Sequence, residues 1–529
     1  MTPARKPGDL EGATLPMVGS RQAREGDEPQ AAETQVSKPQ ALEESDALVV
    51  PEKSTNTWVT PEESREGRRA AEGKLDQRNA FRTQTREDAL THLSRVGRRA
   101  SEKKGEKFTN LLSHIKVPLL KEAYTRLRKD AASGVDGQTW SSYGVELDAR
   151  LLDLEGRVHR GSYHPLPVRR VHIPKGDGRT RPLGIPSLED KIVQQAVRMV
   201  LEPIYEEQFL GFSYGFRPGR SQHDALDALG VALQRKVNWV LDADIRSFFD
   251  TIDHGWMQRF IEHRIGDKRL VRLLMKWLHA GVMEKGELHE VREGTPQGGV
   301  ISPLLANIYL HYVLDLWAQQ WRKRNARGQM YIVRFADDYV MGFQHEQEAR
   351  AMHKAMAERL AEFRLELHPE KTRVIRFGRY AHEHCAKEGR RRPETFDFLG
   401  FTHISGRGLD GRFRLIRRTS RRKRRAKLGA LRKEMRRRKH DPVIEQHRWL
   451  QAVLRGHANY YGVPGNSSAL VSFRHQVRSE WHRQLQRRSQ RAKWTEAKRH
   501  HFEQRFPLPA PRISHPRPQD RFYAKHPRP

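Results

Sequence analysis

Two adjacent carboxylates, Asp337 and Asp338, stand between apolar runs, with Tyr331-Ile332-Val333 before them and Tyr339-Val340-Met341 after. The pattern predicts strand, tight turn, strand, with the aspartate pair held at the turn. Neighbouring carboxylates repel one another, and a cation that neutralises both relieves the repulsion. A second segment carries more of the same chemistry. In Trp239-Val240-Leu241-Asp242-Ala243-Asp244-Ile245 the apolar residues suit a mostly buried strand, and alternation puts Asp242 and Asp244 on one face. Charge inside such a strand is costly unless it is paired or bound to metal. Two strands that bring carboxylates to a common edge could hold two Mg²⁺ ions, which take their remaining ligands from water and phosphate. Paired ions roughly 4 Å apart stabilise both the attacking and the leaving oxygen of an in-line phosphoryl transfer. The chemistry implied is nucleotidyl transfer. Spacing alone does not choose between Asp242 and Asp244.

Three blocks in order then carry a resemblance. Ala243-Asp244-Ile245-Arg246-Ser247-Phe248-Phe249-Asp250-Thr251-Ile252-Asp253-His254 resembles the first catalytic block of reverse transcriptases. Gly294-Thr295-Pro296-Gln297-Gly298-Gly299-Val300-Ile301-Ser302-Pro303-Leu304-Leu305-Ala306-Asn307 resembles their next block. Phe335-Ala336-Asp337-Asp338 resembles the catalytic hairpin, with phenylalanine where the usual wording has tyrosine. The wording of all three is similar to group II intron-encoded reverse transcriptase/maturases. This resemblance implies an α+β right-hand polymerase with fingers, palm and helical thumb, followed by a C-terminal α-helical maturase domain. It selects Asp244 over Asp242, because the aromatic pair Phe248-Phe249 follows it. Asp244, Asp337 and Asp338 are thereby implied as catalytic carboxylates and as ligands of two Mg²⁺ ions. Phe249 is implied to lie beneath the incoming sugar and to exclude a 2′-hydroxyl.

Upstream, Val171 to Pro186 reads as two short strands around the turn Gly176-Asp177-Gly178. Lys175 and Arg181 on that hairpin are the cations a triphosphate needs, and resemblance to the fingers hairpin implies that role. It likewise implies that Gln297 contacts the nascent base pair and that Lys371, after Pro369-Glu370, lies near the active site. Ser187-Leu188-Glu189-Asp190 opens a helix with a capping-box pattern. Ile192, Val193, Ala196, Val197, Val200, Leu201 and Ile204 form its apolar stripe. The segment Phe212 to Ser221 then mixes aromatic and basic residues. That mixture suits a template strand, with rings on bases and Arg217 and Arg220 on phosphates.

A chain of 529 residues with 36% hydrophobic content builds a sizeable core. Its formal charge of +33 points to a polyanionic partner. Mean hydropathy of −0.82 and the lack of a long apolar run argue against a membrane. The single Cys385 excludes an internal disulfide framework; a cytoplasmic location is expected. Residues 1–85 hold 12 Lys/Arg and 15 Asp/Glu and read as a disordered extension. Ordered structure is expected from near Phe108. By contrast, residues 417–529 hold 31 Lys/Arg and 7 Asp/Glu. Within the run Arg417 to Lys439, Leu428, Leu431 and Met435 recur at helical spacing, which predicts a helix docked on one face and basic on the others. Arg455-Gly456-His457-Ala458-Asn459-Tyr460-Tyr461-Gly462 resembles the maturase domain, and implies Arg455, Tyr460 and Tyr461 as RNA contacts.

The expected organisation is therefore fingers over 86–235, palm over 236–405, thumb/maturase over 406–505 and a Pro/Arg-rich tail over 506–529. The resemblance implies group II intron RNA, an RNA template with DNA primer, dNTPs and target DNA as partners. It leaves a homodimer open. With one cysteine, no cysteine-paired HNH endonuclease is expected. Two alternatives stand beside this reading: a splicing cofactor whose polymerase is inactive, and a reverse transcriptase of retron or diversity-generating type.

Overall fold

The computed structural model describes residues 91–174, 180–284, 286–289, 293–295, 297–488 and 495–526. The expected extension over 1–85 and Lys175 lie outside the described residues. Ordered chain starts earlier than expected, because residues 91–102 form a helix, α1, that buries Leu93, Val96 and Ala100. Three small apolar residues among many polar ones make a faint stripe. What anchors the helix lies far away: Arg264 donates to the carbonyls of Ala100 and Lys103 at 3.2 and 3.1 Å.

Strands β1 (Val168–Pro174) and β2 (Thr180–Ile185) form the expected hairpin, with Ile173 opposite Arg181. Helix α2 (Leu188–Glu206) follows; the Ser187 hydroxyl caps it by accepting from Asp190 N at 3.1 Å, and the whole predicted stripe is buried. Helix α3 (Gln222–Leu233) starts at a reciprocal Ser221/Asp224 cap. It leads into β3 (Trp239–Asp244). The short strands β4 (Val282–Glu284) and β5 (Glu287–His289) return to the first hairpin, in the order β2-β1-β4-β5. Helix α4 (Ser302–Leu310) runs into one π-helical turn, His311–Asp315.

Next come β6 (Met330–Phe335), β7 (Asp338–Phe343) and β8 (Arg373–Arg376), which join β3 in the antiparallel order β6-β7-β3-β8. Both faces of this central sheet are covered. Leu241, Ala243, Ile332 and Met341 enter one core with α2 and α4, while Val240, Val333, Val340 and Ile375 enter a second with α3. Alternation along each strand produces this division. A third sheet, in the order β11-β10-β9, comprises β9 (Thr395–Phe398), β10 (Phe401–Arg407) and β11 (Phe413–Thr419).

Helices α5 (Arg421–Arg437), α6 (Val443–Tyr461) and α7 (Ser467–Gln486) share a separate core. Leu428, Leu431 and Met435 of α5 are buried in it, as their spacing predicts, against Leu450, Leu454, Phe473 and Trp481. Arg417 departs from expectation. It belongs to β11 rather than to the basic helix, and its buried guanidinium lies 3.2 Å from Asp227 on α3. The segment read as a tail also carries structure. Helix α8 (Pro518–Lys525) packs on α3, burying Phe522 in the second core. Asp227 pairs with Arg521 as well as Arg417, and Lys525 Nζ donates to Asp224 at 2.7 Å.

Candidate active site

Strand register places Asp244 directly opposite Asp338 across β3 and β7, with Asp242 opposite Val340 two residues further in. All three carboxylates therefore lie on the Val240/Val340 face, toward the end where apolar packing gives out. Asp337 sits in the two-residue turn between Phe335 and Asp338. Burial raises the Asp337 carboxyl, and Asp244 adds repulsion. Asp338 opens β7 in contact with solvent, yet surrounding protein and then Asp337, Asp244 and Asp242 push it up to about 7. Burial lifts Asp242 to about 7 as well, despite Arg373 at 3.8 Å. Lys371 bonds Asp244 directly and supplies the nearest counter-charge. Among the described residues no three acidic or histidine side chains are drawn together tightly enough to cage an ion. The arrangement is a set of facing carboxylates, short of positive charge, with one ammonium already engaged.

The turn that carries Asp337 is strained and held. Ala336 adopts φ +57°, a conformation that favours glycine at the head of a two-residue hairpin turn. Arg334, wholly buried, donates to the Ala336 carbonyl at 3.1 Å and to Asn307 Oδ1 at 2.9 Å. Its other face forms a two-pronged pair with Asp315, at 2.7 and 2.5 Å. Asn307 in turn donates to the Gly215 carbonyl at 2.7 Å. Gly215 lies flat against the turn, where a β-carbon would collide with Ala336 N. Four residues from three distant segments thus fix the backbone on which Asp337 stands.

The segments expected on the nucleotide side, Lys175 aside, pack against one another. Phe249 is half-buried beside Phe248, its carbonyl accepting from Thr295 N at 2.7 Å. Gly184 N on β2 donates to the Gln297 carbonyl at 2.7 Å. Gly298 has φ +121°, and a β-carbon there would stand 2.5 Å from Gly184 O, so only glycine lets this loop close on β2. Arg181 is exposed, and its charge opposes the rise at Asp337.

Residues 173–403 match the family model described as reverse transcriptase (RNA-dependent DNA polymerase). The group II intron-encoded protein LtrA of Lactococcus lactis is 38% identical over 42% of this chain and 38% of its own length. These residues resemble a reverse transcriptase domain, and the relatives that match them include group II intron-encoded proteins. Protein YkfC of Escherichia coli is 40% identical over 39% of this chain and 62% of its own length. A putative COX1/OXI3 intron 1 protein of Saccharomyces cerevisiae is 33% identical over 42% and 26%. The matches span less than two thirds of these relatives. Reverse transcriptase domains generally use divalent metal ions, and an all-oxygen donor set whose mutual repulsion is only partly relieved suits a hard cation.

Around this matched segment, the residues expected to meet nucleic acid divide sharply. Arg217 is a correction: its guanidinium is buried, bonded to Glu206 at 2.9–3.1 Å and to the Leu210 and Ser213 carbonyls at 2.8 Å. The guanidinium is turned inward onto these partners rather than out toward a phosphate, and Arg217 instead ties α2 to the following loop. Arg220 is half-buried over the Tyr214 ring and donates to Gly211 O, with burial pushing its pKa down to about 10. Phe212 and Tyr214 are core residues, whereas Phe216 is 47% exposed at φ +60°. Arg455 is exposed on α6. Tyr460 and Tyr461 pack on Phe401 at 5.8 and 5.1 Å, and the Tyr460 hydroxyl donates to Leu399 O at 2.7 Å. Sequence reasoning missed Gly215, Asn307, Asp315 and Arg334. Asn307 and Arg334 lie inside or beside the quoted blocks, so proximity to the catalytic turn was the one available signal.

Among the described residues no helix is long and apolar enough to cross a membrane.

Proposed function

We propose that this chain is an RNA-directed DNA polymerase that also binds group II intron RNA and assists its splicing and retromobility. The observation that carries the reading is Asp244 paired in register with Asp338, with Asp337 beside them on a clamped turn. In this reading residues 86–235 serve as fingers, 236–405 as palm and 406–505 as thumb and maturase domain. Asp244, Asp337 and Asp338 hold two Mg²⁺ ions, which supply charge stabilisation to the attacking and leaving oxygens of nucleotidyl transfer. Arg181, Lys371 and Lys175 orient the triphosphate, Phe249 limits the sugar and Gln297 meets the nascent pair. The basic faces of α5 and α6, including Arg455, follow the RNA backbone, and each phosphate neutralised releases counterions. Splicing chemistry belongs to the intron RNA, and the protein contributes binding energy to its folded form. Target DNA enters as the source of the primer.

The deciding experiment is template-primed dNTP incorporation with Mg²⁺, comparing the parent chain with Asp337→Ala. Incorporation should fall at least about a thousandfold, because a metal-binding carboxylate is lost. Splicing assistance by the same variant should persist. Equal incorporation by both proteins would remove the site assignment. A parent that splices but never extends a primer would instead be a splicing cofactor.

A further inference from the structure

A cleft of about 480 Å³ opens between α5 and α6, on the helical region and away from the facing carboxylates. One wall carries Lys423, Arg424 and Lys427, and among the described residues none of these has an ion-pair partner. The other wall is α6, where His457 and Tyr461 stand with ring centroids 4.6 Å apart. No acidic residue lines the space. His457 is 9% exposed and also stacks on Phe473 at 3.8 Å; its Nε2 is sealed from solvent and has no hydrogen-bond partner among the described residues, so the ring backs the wall. Burial and the nearby Lys427 and Arg424 push its pKa down to about 4, so the ring is neutral at ordinary pH.

These features select one kind of ligand. Three unpaired cations attract a phosphate, but a phosphate alone needs no aromatic wall. A half-exposed aromatic ring suits a base, yet a duplex hides its pairing edges and presents backbone. Single strands offer both parts together, an exposed ring face and a phosphate one sugar away. The volume also matches one nucleotide rather than a helix. We infer that the α5–α6 cleft seats a single unpaired nucleotide of an RNA strand, its phosphate on Lys423, Arg424 and Lys427 and its base against the Tyr461 ring. A strand is favoured over a free nucleotide because the exposed basic faces of α5 can hold the flanking phosphates. The inference rests on the proposed RNA-binding role and adds to it the conformation of the RNA recognised.

Gly456 provides the test. It lies on the cleft wall, and a β-carbon there meets nothing within 4 Å, so Gly456→Leu fills the space without displacing backbone. Full-length parent and variant are compared for affinity to a short single-stranded RNA and to a blunt duplex with the same number of phosphates, with melting temperature recorded. Single-strand Kd should rise about tenfold while duplex Kd changes less than about twofold, which shifts their ratio. An unchanged ratio in a protein that binds both overturns the cleft and leaves the proposed function standing. Parent protein that binds neither RNA overturns both. Adenosine monophosphate that displaces the strand completely would identify a free-nucleotide site and overturn the strand assignment. Should Gly456→Leu fail to fold, the parent answers alone through a single strand carrying 5-iodouridine. Photocrosslinks should map to Tyr460 or Tyr461 and be absent with the duplex; crosslinks confined to other segments overturn the inference.

Discussion

Arg334 and Arg425 carry the same side chain in contrasting settings. Arg334 is wholly buried, and its contacts to Asp315, Asn307 and Ala336 hold one backbone turn in a conformation that alanine resists. Arg425 is exposed on α5 among other exposed cations. The central sheet thus places its chemistry through a few irreplaceable contacts, each dependent on the next. The basic helices place theirs through periodicity, with charge spread over many equivalent positions. Failure in the first region should be abrupt, and in the second graded.

The largest effect should follow Arg334→Met, which leaves Asp315 charged and unpaired in the interior. Loss of about 3–5 kcal/mol of stability is expected, with primer extension abolished; denaturant unfolding and incorporation assays measure each. Retained activity would mean that the turn holds itself and would break the contrast. Gly215→Ala comes next, because its new methyl presses on Ala336 N. It should lose about 1–3 kcal/mol and reduce incorporation more than RNA binding, as read by parallel assays.

A third test uses protons. With Asp338 raised to about 7, the folded chain holds that proton more tightly than the unfolded chain does. Ion-free protein should therefore gain stability as pH falls from 8 toward the ordinary carboxylate range. Divalent ions compete with the same proton, so the Mg²⁺ concentration for half-maximal extension should rise as pH drops through about 7. Asp338→Asn should make the ion-free melting profile shallower over that window, leaving the share contributed by Asp242, which is raised into the same range. Solvent contact at Asp338 moderates the size of the effect without changing its sign.

The smallest effect belongs to Arg425→Gln. RNA affinity should weaken no more than about threefold, equally for all sequences, and the salt slope should fall by about 1. A loss as large as that of Arg334→Met would show that the helical region, too, depends on single contacts.

Much of this architecture was legible beforehand. Alternation in 239–245 and the apolar runs flanking Asp337-Asp338 identified the strands β3, β6 and β7 that carry the facing carboxylates, and 3.6-residue spacing identified the buried faces of α2 and α5. Arg217 and Arg417 were misread for a shared reason. Each sits in a stretch whose composition suggests nucleic acid, and each is neutralised by an acid on another element, Glu206 and Asp227. Helix α8 escaped notice because its one large buried residue, Phe522, finds its core on α3, almost three hundred positions earlier in the chain.

The residue pattern by itself determined where the central strands and the helices α2 and α5 lie, which faces they bury and which carboxylates stand at the Asp337-Asp338 turn and on β3. Periodicity is a property of the backbone, and each strand or helix states it locally. Only the tertiary structure decided which charges are free and which are locked, how Ala336 is kept in its left-handed turn, and where α8 docks. A charge takes its meaning from what packs across from it, and that partner is chosen by the folded chain as a whole.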